Sequence, residues 1–481
     1  MTALPQPISP TPLAPSPPPP SASPEKPLDE DGLPTPRRYV AMAAVLAAIV
    51  LVVIDAAIAN LALPTIAQAL DVSPAASVWV VTGYQLSLVM FLLPAGAAGE
   101  NFGYRRVFVA GVLIFTGASA LCAFSTTLPW LLVARFLQGL GGAAVMSLAV
   151  ALLRFVYPQR LLGAGIGWNA LAVALSSAAG PTIGAVILSV ASWPWLFAVN
   201  IPVGILVLAA ATGLPATRGS MRGLDFTSIA LNAAAFGTLI VGADLSANNL
   251  ALGGGLVFVS LLFLAALIRR ELPRATPLIP FDLLRAPSFR LSVIASIFCF
   301  SAQMASFVAL PYYLQHGLRL DAFTTGLYIT PWPLATALAA PISGRLADRM
   351  PTAWLCAAGG AGLALGLALI ALWPLGDGLA PLIAFAVLSG LGFGFFQTPN
   401  NRNMLLAAPR QRSGAAGGMQ GMARLVGQTA GAVLMTILFT LVPTELAPRL
   451  GLGIGAALAL CAGLVSLTRL APRAGAPGTA A

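Results

Sequence analysis

Residues 37–64 read RRYVAMAAVLAAIVLVVIDAAIANLALP, in which two arginines stand directly before a long apolar segment. A run of about 20 apolar residues has the length that crosses the hydrocarbon core of a bilayer as an α-helix. Asp55 is the only charged residue within the apolar part of this stretch. The stretch therefore predicts a membrane-spanning helix that follows a basic pair and carries one acid in its interior.

Apolar segments of this kind recur along the whole chain. Of 481 residues, 58% are hydrophobic and 8% are charged, whereas a soluble domain has roughly 25% charged residues. One soluble domain could not bury so many apolar segments, so we predict an all-α integral membrane protein. The fourteen predicted spans lie near residues 39–60, 76–98, 106–125, 129–152, 162–189, 195–213, 226–243, 251–268, 291–314, 323–345, 352–373, 379–400, 415–441 and 449–468.

The basic residues alternate between the connections. Most of the 25 Lys and Arg residues fall on the Arg37 side of the spans, and the opposite connections hold only Arg319 and Arg449. Lys and Arg are retained on the cytoplasmic side of a membrane, so both termini are expected in the cytoplasm of a cell with a bacterial-type inner membrane. The formal charge of +10 forms no basic stripe, which argues against nucleic acid as a partner. Two arginines, Arg135 and Arg424, lie inside predicted spans.

The chain divides into two unequal halves with tails. Residues 1–38 are rich in Pro and lack the pattern of a signal peptide, so they are expected to form a disordered cytoplasmic tail. A six-span bundle follows at 39–213, and residues 214–290 hold two extra central spans and a cytoplasmic connection. A second six-span bundle at 291–470 precedes a short cytoplasmic tail at 471–481. The four cysteines lie singly in apolar runs, which favours packing over metal binding or disulfides.

An internal repeat supports this division, and its residues resemble a known family. PAGAAGENFGYRR (94–106) resembles the cytoplasmic-loop motif of the major facilitator superfamily, and GRLADR (344–349) resembles its second-half copy. Small residues allow helices to approach closely, and the acid could cap a helix or pair with an arginine. The matching residues, expected to form a conformational latch, are Gly96, Glu100, Gly103, Arg105 and Arg106 in the first half and Gly344, Asp348 and Arg349 in the second.

Three further segments resemble motifs of the same superfamily. ARFLQGLGGAA (134–144) is similar to the fourth-span motif, and residues 163–187 are similar to the fifth-span antiporter motif, with Gly180, Pro181 and Gly184. IDAAIANLALP (54–64) and WPWLFAVNIPVG (193–204) resemble segments of the fourteen-span drug:proton antiporter family. The resemblance implies a major facilitator fold of two six-helix bundles plus two extra central helices, and transport by alternating access.

Two buried charges are the candidates for proton coupling. A carboxyl in a low-dielectric interior resists ionisation, so Asp55 could bind a proton in one conformation and release it in another. The alternative is a structural hydrogen bond with Asn60 or a neighbouring helix. Arg135 has Gln138 at i+3 on its face. It could take part in proton coupling or be tied structurally to backbone carbonyls.

Polar or aromatic residues inside apolar spans are candidates for the substrate cavity, although each fits equally a helix–helix contact. A largely apolar cavity with one acid suits a lipophilic, or a cationic, substrate through cation–π contacts and charge. Arg424 is expected to point inward from the second half, in a structural or a functional role. The candidate cavity residues are Asn60, Tyr84, Gln85, Gln138, Trp168, Asn169, Gln303, Phe307 and Gln397.

The resulting functional hypothesis is a secondary active exporter that exchanges lipophilic or cationic drugs for protons and functions as a monomer in a lipid bilayer. One alternative is a dedicated proton-coupled exporter of a single metabolite or siderophore. An integral-membrane enzyme is disfavoured, because the chain has one histidine and no HExxH motif. No nucleotide-binding loop is present, and we expect no cofactor and no metal ion.

Overall fold

The computed structural model describes residues 32–158, 162–216, 219, 224–246, 249–273, 281–373, 380–408 and 413–470. Within these ranges the chain is helical, with short connections between the helices. The tail 471–481 and nearly all of the tail 1–38 lie outside the described residues, so the predictions for them stay predictions.

The first half contains seven helices. The predicted sixth span consists of two of them, α6 and α7, followed by one 3₁₀ turn at Ala211–Gly213. Gly103 separates α2 from α3 with a φ of +96°, a conformation that glycine adopts without steric cost. The helices are α1 (Arg37–Ala69), α2 (Pro74–Phe102), α3 (Tyr104–Ala123), α4 (Leu128–Val156), α5 (Leu162–Val190), α6 (Trp195–Ala198) and α7 (Asn200–Ala210).

Two central helices and the second half follow. The central pair is α8 (Phe226–Leu245) and α9 (Leu250–Glu271). The first helix of the second half continues into a π-helical segment at Tyr313–Gly317. The helices of the second half are α10 (Pro287–Tyr312), α11 (Ala322–Ile329), α12 (Pro331–Leu346), α13 (Thr352–Leu372), α14 (Ala380–Ala407), α15 (Ser413–Leu441) and α16 (Ala447–Leu467).

The structure establishes most of the predicted spans but not their number. Thirteen helical segments within the described ranges are long and apolar enough to cross a bilayer. The tenth predicted span, 323–345, is instead made of α11 and α12, which meet at Thr330. Pro331 has no backbone N–H to donate to the preceding turn, which accounts for the break. The count of fourteen therefore stays a prediction.

Both described ends of the chain lie at one end of the bundle, here named the terminal face. Arg37, at the start of α1, donates to the carbonyl of Gly213 after α7 at 3.1 Å. Arg469, after α16, donates to Ser292 near the start of α10 at 3.0 Å. Leu93 of α2 packs on a cluster that includes residues from the start of α10 and the end of α14. The other end of the bundle is named the opposite face.

The two halves contact each other near the opposite face. The hydroxyls of Ser77 and Tyr312 lie 2.5 Å apart and join α2 to α10. The hydroxyls of Thr182 and Thr330 lie 2.7 Å apart and join α5 to the break between α11 and α12. Gly326 of α11 also lies so close to α5 that a Cβ atom there would fall 2.4 Å from the Cβ of Ala185. These contacts close the opposite face between the halves.

The central pair packs beside the seam between the halves. Asn232 of α8 donates to the carbonyl of Met90 in α2 at 2.8 Å, and Trp79 of α2 donates to Asp244 of α8 at 3.2 Å. Contact with the second half is apolar, through a small cluster that α8 shares with α2 and α15. This cluster contains Leu86, Ile240 and Val433.

Candidate functional site: a buried ion pair in the first half

The first half holds an ion pair in its core. Nη1 of Arg135 in α4 lies 2.6 Å from Oδ2 of Asp55 in α1, and the two side chains are 0% and 1% exposed. Removing two charges from water is costly, and their attraction offsets this cost only when further hydrogen bonds complete the site. The neighbours of the pair therefore decide whether it is stable.

Three amide or hydroxyl side chains complete the pair. Nε2 of Gln138 donates to Oδ1 of Asp55 at 2.8 Å, and Nδ2 of Asn200 donates to the same oxygen at 2.7 Å. The Gln138 amide also donates to the hydroxyl of Ser119 at 2.8 Å. Both oxygens of Asp55 thus accept hydrogen bonds, so the carboxylate charge is stabilised by donors from two other helices, α4 and α7.

Arg135 uses its other contacts to reach α2 and α6. Its Nε donates to the carbonyl of Val80 at 3.1 Å, and its Nη1 also donates to Oε1 of Gln138 at 2.5 Å. Its guanidinium carbon lies 4.3 Å from the centre of the Tyr84 ring and 5.3 Å from that of Phe197. A guanidinium over an aromatic ring gains a cation–π attraction that increases when water is excluded.

Glycines in α4 bring the surrounding helices close enough to form this cluster. A Cβ atom at Gly139 would lie 2.5 Å from the carbonyl oxygen of Tyr84 in α2. A Cβ atom at Gly141 would lie 2.5 Å from the backbone nitrogen of Phe115 in α3. Small residues permit such close packing of membrane helices, so the GLGG segment positions Arg135 and Gln138 against α2 and α3.

The charge balance of this arrangement depends on whether Asp55 carries a proton. A proton on Asp55 would neutralise the carboxylate and leave the buried charge of Arg135 without its counter-ion. An uncompensated buried charge is strongly unfavourable, so protonation would favour a conformation in which Arg135 gains another partner or water. The pair is a candidate for a two-state element that senses protonation.

The sequence located only part of this cluster. Asp55, Arg135 and Gln138 come together as candidates, whereas Asn200 and Ser119 were missed. Asn60 does not bond Asp55: its amide donates to the carbonyl of Ala56, four residues earlier in α1, at 3.0 Å. A signal for Asn200 was available, because it is the one polar amide in the segment 193–204.

The remaining cavity candidates lie in three environments. Tyr84 and Gln85 of α2 are buried, and each has one buried polar atom without a hydrogen bond in the described residues. Trp168 is 53% exposed and shares an exposed apolar stripe of α5 with Leu171 and Leu175, which is typical of a lipid-facing surface. The position of Trp168 therefore separates it from the buried cluster.

Four further candidates are partly buried. Asn169 lies in α5 with a buried carbonyl oxygen that accepts no hydrogen bond in the described part of the chain. Gln303 and Phe307 are one turn apart in α10, and the Phe307 ring packs against Trp332 of α12 with centroids 5.1 Å apart. Gln397 lies in α14. The structure does not bring these four into contact with the ion pair.

The two copies of the loop motif differ in their contacts at the terminal face. Asp348 pairs with Arg402 of α14 at 2.6 Å, whereas the described residues show no ion pair for Glu100. A Cβ atom at Gly96 would meet nothing within 4 Å, while one at Gly99 would lie 2.4 Å from Leu148 of α4. The close helix approach in the first copy is therefore at Gly99 and not at Gly96.

The other residues of the loop motif lie at helix ends near this face. Arg105 and Arg106 occupy the first turn of α3, immediately after Gly103. Gly344 lies near the end of α12, where a Cβ atom would be 3.7 Å from Thr398, and Arg349 follows the helix as an exposed residue. A latch at these positions stays a prediction.

The fifth-span motif forms the contact between α5 and α1. A Cβ atom at Gly180 would lie 2.4 Å from the Cβ of Ala57, and one at Gly184 would lie 3.3 Å from Ile58. Pro181 follows within the helix, and its carbonyl would lie 3.0 Å from a Cβ at Gly326 of α11. The motif thus joins α1, which carries Asp55, to the second half.

We expect Gly180→Ala to destabilise the protein by about 1–3 kcal/mol, because an added methyl group overpacks a tight helix contact. The matched control is Gly117→Ala in α3, where a Cβ atom would meet nothing within 4 Å. The measurement is thermal unfolding of both variants in the same detergent. Equal unfolding temperatures for the two variants would show that the α1–α5 contact is not tight.

We also expect Tyr312→Phe to weaken the closure of the opposite face. The change removes the hydroxyl bonded to Ser77 and keeps the ring that packs on Phe439 with centroids 4.6 Å apart. The loss of about 0.5–1.5 kcal/mol should increase the population open at this face. Spin labels at Gln68→Cys and Arg319→Cys, in a Cys461→Ser background, should then report a longer distance component. Ser77→Ala should have the same effect, and unchanged distance distributions in both variants would contradict the assignment.

The fold of the chain is similar to that of a solved membrane protein. A solved bacterial homologue of the human lysosomal transporter Spinster, in an inward-facing and unoccupied conformation, aligns with a TM-score of 0.64 and 14% identity. The alignment covers 91% of this chain and 99% of that structure. The two proteins therefore share one fold, an all-helical bundle of long apolar helices.

The sequence comparisons give the family. The model of the Major Facilitator Superfamily matches residues 45–432 and 291–480, and the chain belongs to this family. The uncharacterized transporter YebQ of Escherichia coli K12 is 46% identical over 413 residues, which cover 85% of this chain and 90% of that protein. The family recognition is thereby confirmed at the level of the superfamily.

Two further relatives have names that state a compound. The riboflavin transporter RibZ of Clostridioides difficile is 31% identical, over 76% of this chain and 80% of its own length. The methylenomycin A resistance protein of Streptomyces coelicolor is 31% identical, over 81% of this chain and 83% of its own length. Both relatives match across the two halves and not across one bundle alone.

Proposed function

We propose that the protein is a proton-coupled antiporter that exports lipophilic small molecules by alternating access. The observation that carries the proposal is the fully buried pair of Asp55 and Arg135, which joins α1 to α4 in the core of the first half. Intramembrane charges are costly and are typical of proton pathways and substrate sites. The site requires no cofactor for this role.

The contacts between the halves supply the second part of the proposal. The Asp55 cluster lies on α1, α4 and α7, and α1 packs through Gly180 and Gly184 against α5, which reaches the second half at Gly326. A change in the charge state of Asp55 would therefore act on the helix that forms the closed contact at the opposite face. Such a link between protonation and closure is what an alternating-access antiporter needs.

The direction of transport is supported by the relatives. The methylenomycin A resistance protein carries resistance in its name, and resistance by a membrane transporter is consistent with export. In this proposal the terminal face is cytoplasmic, in agreement with the excess of basic residues on that side. The protein would act as a monomer in the inner membrane.

A transporter dedicated to one metabolite is the second candidate. The riboflavin transporter RibZ is as similar to this chain as the resistance protein is, with 31% identity for each. A narrow and a broad exporter would accept different sets of compounds, and both would require Asp55. The two candidates therefore differ in the cavity and not in the coupling site.

The test is transport by the purified protein in liposomes with an imposed pH gradient. Lipophilic dyes and riboflavin are offered one at a time. The loss of the pH gradient that each compound causes is recorded with and without a protonophore. Gradient consumption with several dyes would support a broad exporter, and consumption with one metabolite alone would support the second candidate. Transport that is unchanged by the protonophore would overturn proton coupling.

A further inference from the structure

The helix α15 carries a polar stripe that the proposed coupling site does not use. Gln420, Arg424 and Gln428 are spaced four residues apart, so they share one face of the helix. All three side chains are partly exposed, although the helix packs within the bundle. Polar side chains that stay accessible inside a helical bundle line a cavity or a water-filled path.

The neighbours of Arg424 show where this face points. On one flank, a Cβ atom at Gly427 would lie 2.7 Å from the carbonyl of Ile297 in α10. On the other flank, a Cβ atom at Gly421 would lie 3.3 Å from Leu92 of α2. The stripe lies between these two flanks, so Arg424 faces the space between α10 of the second half and α2 of the first.

The charge of Arg424 has no counter-ion in the described part of the chain. No ion pair or hydrogen bond of its guanidinium is seen there, and its buried Nε has no acceptor. Arg135 differs, because its charge is balanced by Asp55 at 2.6 Å. Asp55, Arg135 and Arg424, which lie away from the helix ends in the two bundles, therefore sum to one positive charge.

Tyr84 supplies a second unused donor on the facing helix. Its ring covers Arg135 at 4.3 Å, its side chain is 1% exposed, and its hydroxyl has no partner among the described residues. Tyr84 shares a buried apolar cluster with Met422 and Leu425, which flank Arg424 in α15. A buried polar group without a partner is unfavourable, and one acceptor placed between Tyr84 and Arg424 would satisfy both.

We infer that the exported compounds carry an anionic group, such as a carboxylate, that Arg424 binds with the Tyr84 hydroxyl as a second donor. A guanidinium recognises carboxylates and related oxyanions through paired hydrogen bonds. A cationic compound would instead meet an uncompensated positive charge, since Asp55 is already neutralised by Arg135. This inference rests on the proposed export function and specifies its substrate class.

The inference has a consequence for the driving force. When one proton enters and one monoanion leaves, two positive charges move in the direction of the proton. When a monocation leaves instead, the net charge moved is zero. A membrane potential that is negative on the proton-receiving side should therefore accelerate export of an anion and leave export of a monocation unchanged.

Binding is tested with two dyes that share a xanthene ring, the anionic fluorescein and the cationic rhodamine 123. Fluorescence polarisation with purified protein in nanodiscs should show fluorescein binding that Arg424→Gln weakens by about ten- to hundredfold, the effect of losing charge-assisted hydrogen bonds. Arg424→Lys should weaken it less, because the charge remains. Tyr84→Phe should also weaken fluorescein binding and keep the ring over Arg135. The matched control is Arg290→Gln, an exposed arginine at the start of α10, which should bind fluorescein as the wild type does.

Two binding results would overturn the inference. One is a wild-type protein that binds rhodamine 123 and not fluorescein, and the other is an Arg424→Gln variant that binds fluorescein as tightly as the control. Transport separates this inference from the proposed function. Gradient-driven export of rhodamine 123 alone would refute the anion site and leave the antiporter in place. If a pH gradient drives none of the compounds, the antiporter itself fails, whatever the binding result.

Discussion

Asp55→Asn is expected to reduce proton-driven export to the rate of protein-free liposomes. The amide keeps the size of the side chain and can still accept a hydrogen bond from Arg135, but it has no carboxylate to bind a proton. The loss should therefore affect coupling more than substrate binding. The measurement is substrate-dependent quenching of an imposed pH gradient, with compounds that the wild-type protein moves.

A second readout separates lost coupling from lost folding. Exchange of labelled for unlabelled substrate across the membrane, with no gradient, does not need net proton movement and should persist in Asp55→Asn. Asn60→Ala is the matched control, since Asn60 lies in the same helix and its amide donates to the carbonyl of Ala56 instead of to Asp55. It should keep most of the gradient-driven rate. Full gradient-driven transport by Asp55→Asn would refute the coupling role.

Arg135→Gln is expected to have the largest effect on stability. The change leaves the Asp55 carboxylate buried without a cation, and breaking a buried pair in this way costs about 3–5 kcal/mol. The double variant Asp55→Asn/Arg135→Gln removes both charges and should recover most of this loss without recovering proton-driven transport. The measurement is the unfolding temperature of the wild type, Asp55→Asn, Arg135→Gln and the double variant in one detergent.

This set of variants distinguishes a structural from a coupling role. If the pair were purely structural, the double variant would regain both stability and transport. If the pair made no net contribution, Arg135→Gln would unfold at the wild-type temperature. Arg290→Gln again serves as the control for the loss of one arginine, because that side chain is exposed.

Much of the fold follows from local properties of the sequence. Span positions depend on the length of apolar runs, and each predicted span corresponds to one helix or to a pair of consecutive helices. The break at Thr330 was not predicted, although Pro331 marks it, because many membrane helices tolerate proline without a break. Pro64 and Pro94, for example, lie inside the continuous helices α1 and α2.

The site was less predictable, because its contacts join residues distant in sequence. Asp55 and Arg135 stand out as charges in apolar runs, and Gln138 is close to Arg135 on the same helix. Asn200 reaches Asp55 from 145 positions away, and no local pattern specifies that contact. The close helix approach that was expected at Gly96 occurs at Gly99 instead. The spacing of the motif does not specify how α2 is rotated relative to α4, so this difference could not be predicted.

The packing of α8 makes the two sides of the transporter unequal. Hydrogen bonds to Met90 and Trp79 attach α8 to α2. Its contact with Val433 of α15 is apolar. Directional bonds hold a geometry, while apolar contacts tolerate sliding. When the two halves move against each other during transport, α8 should therefore travel with α2, and its apolar contact with α15 should be the one that slides.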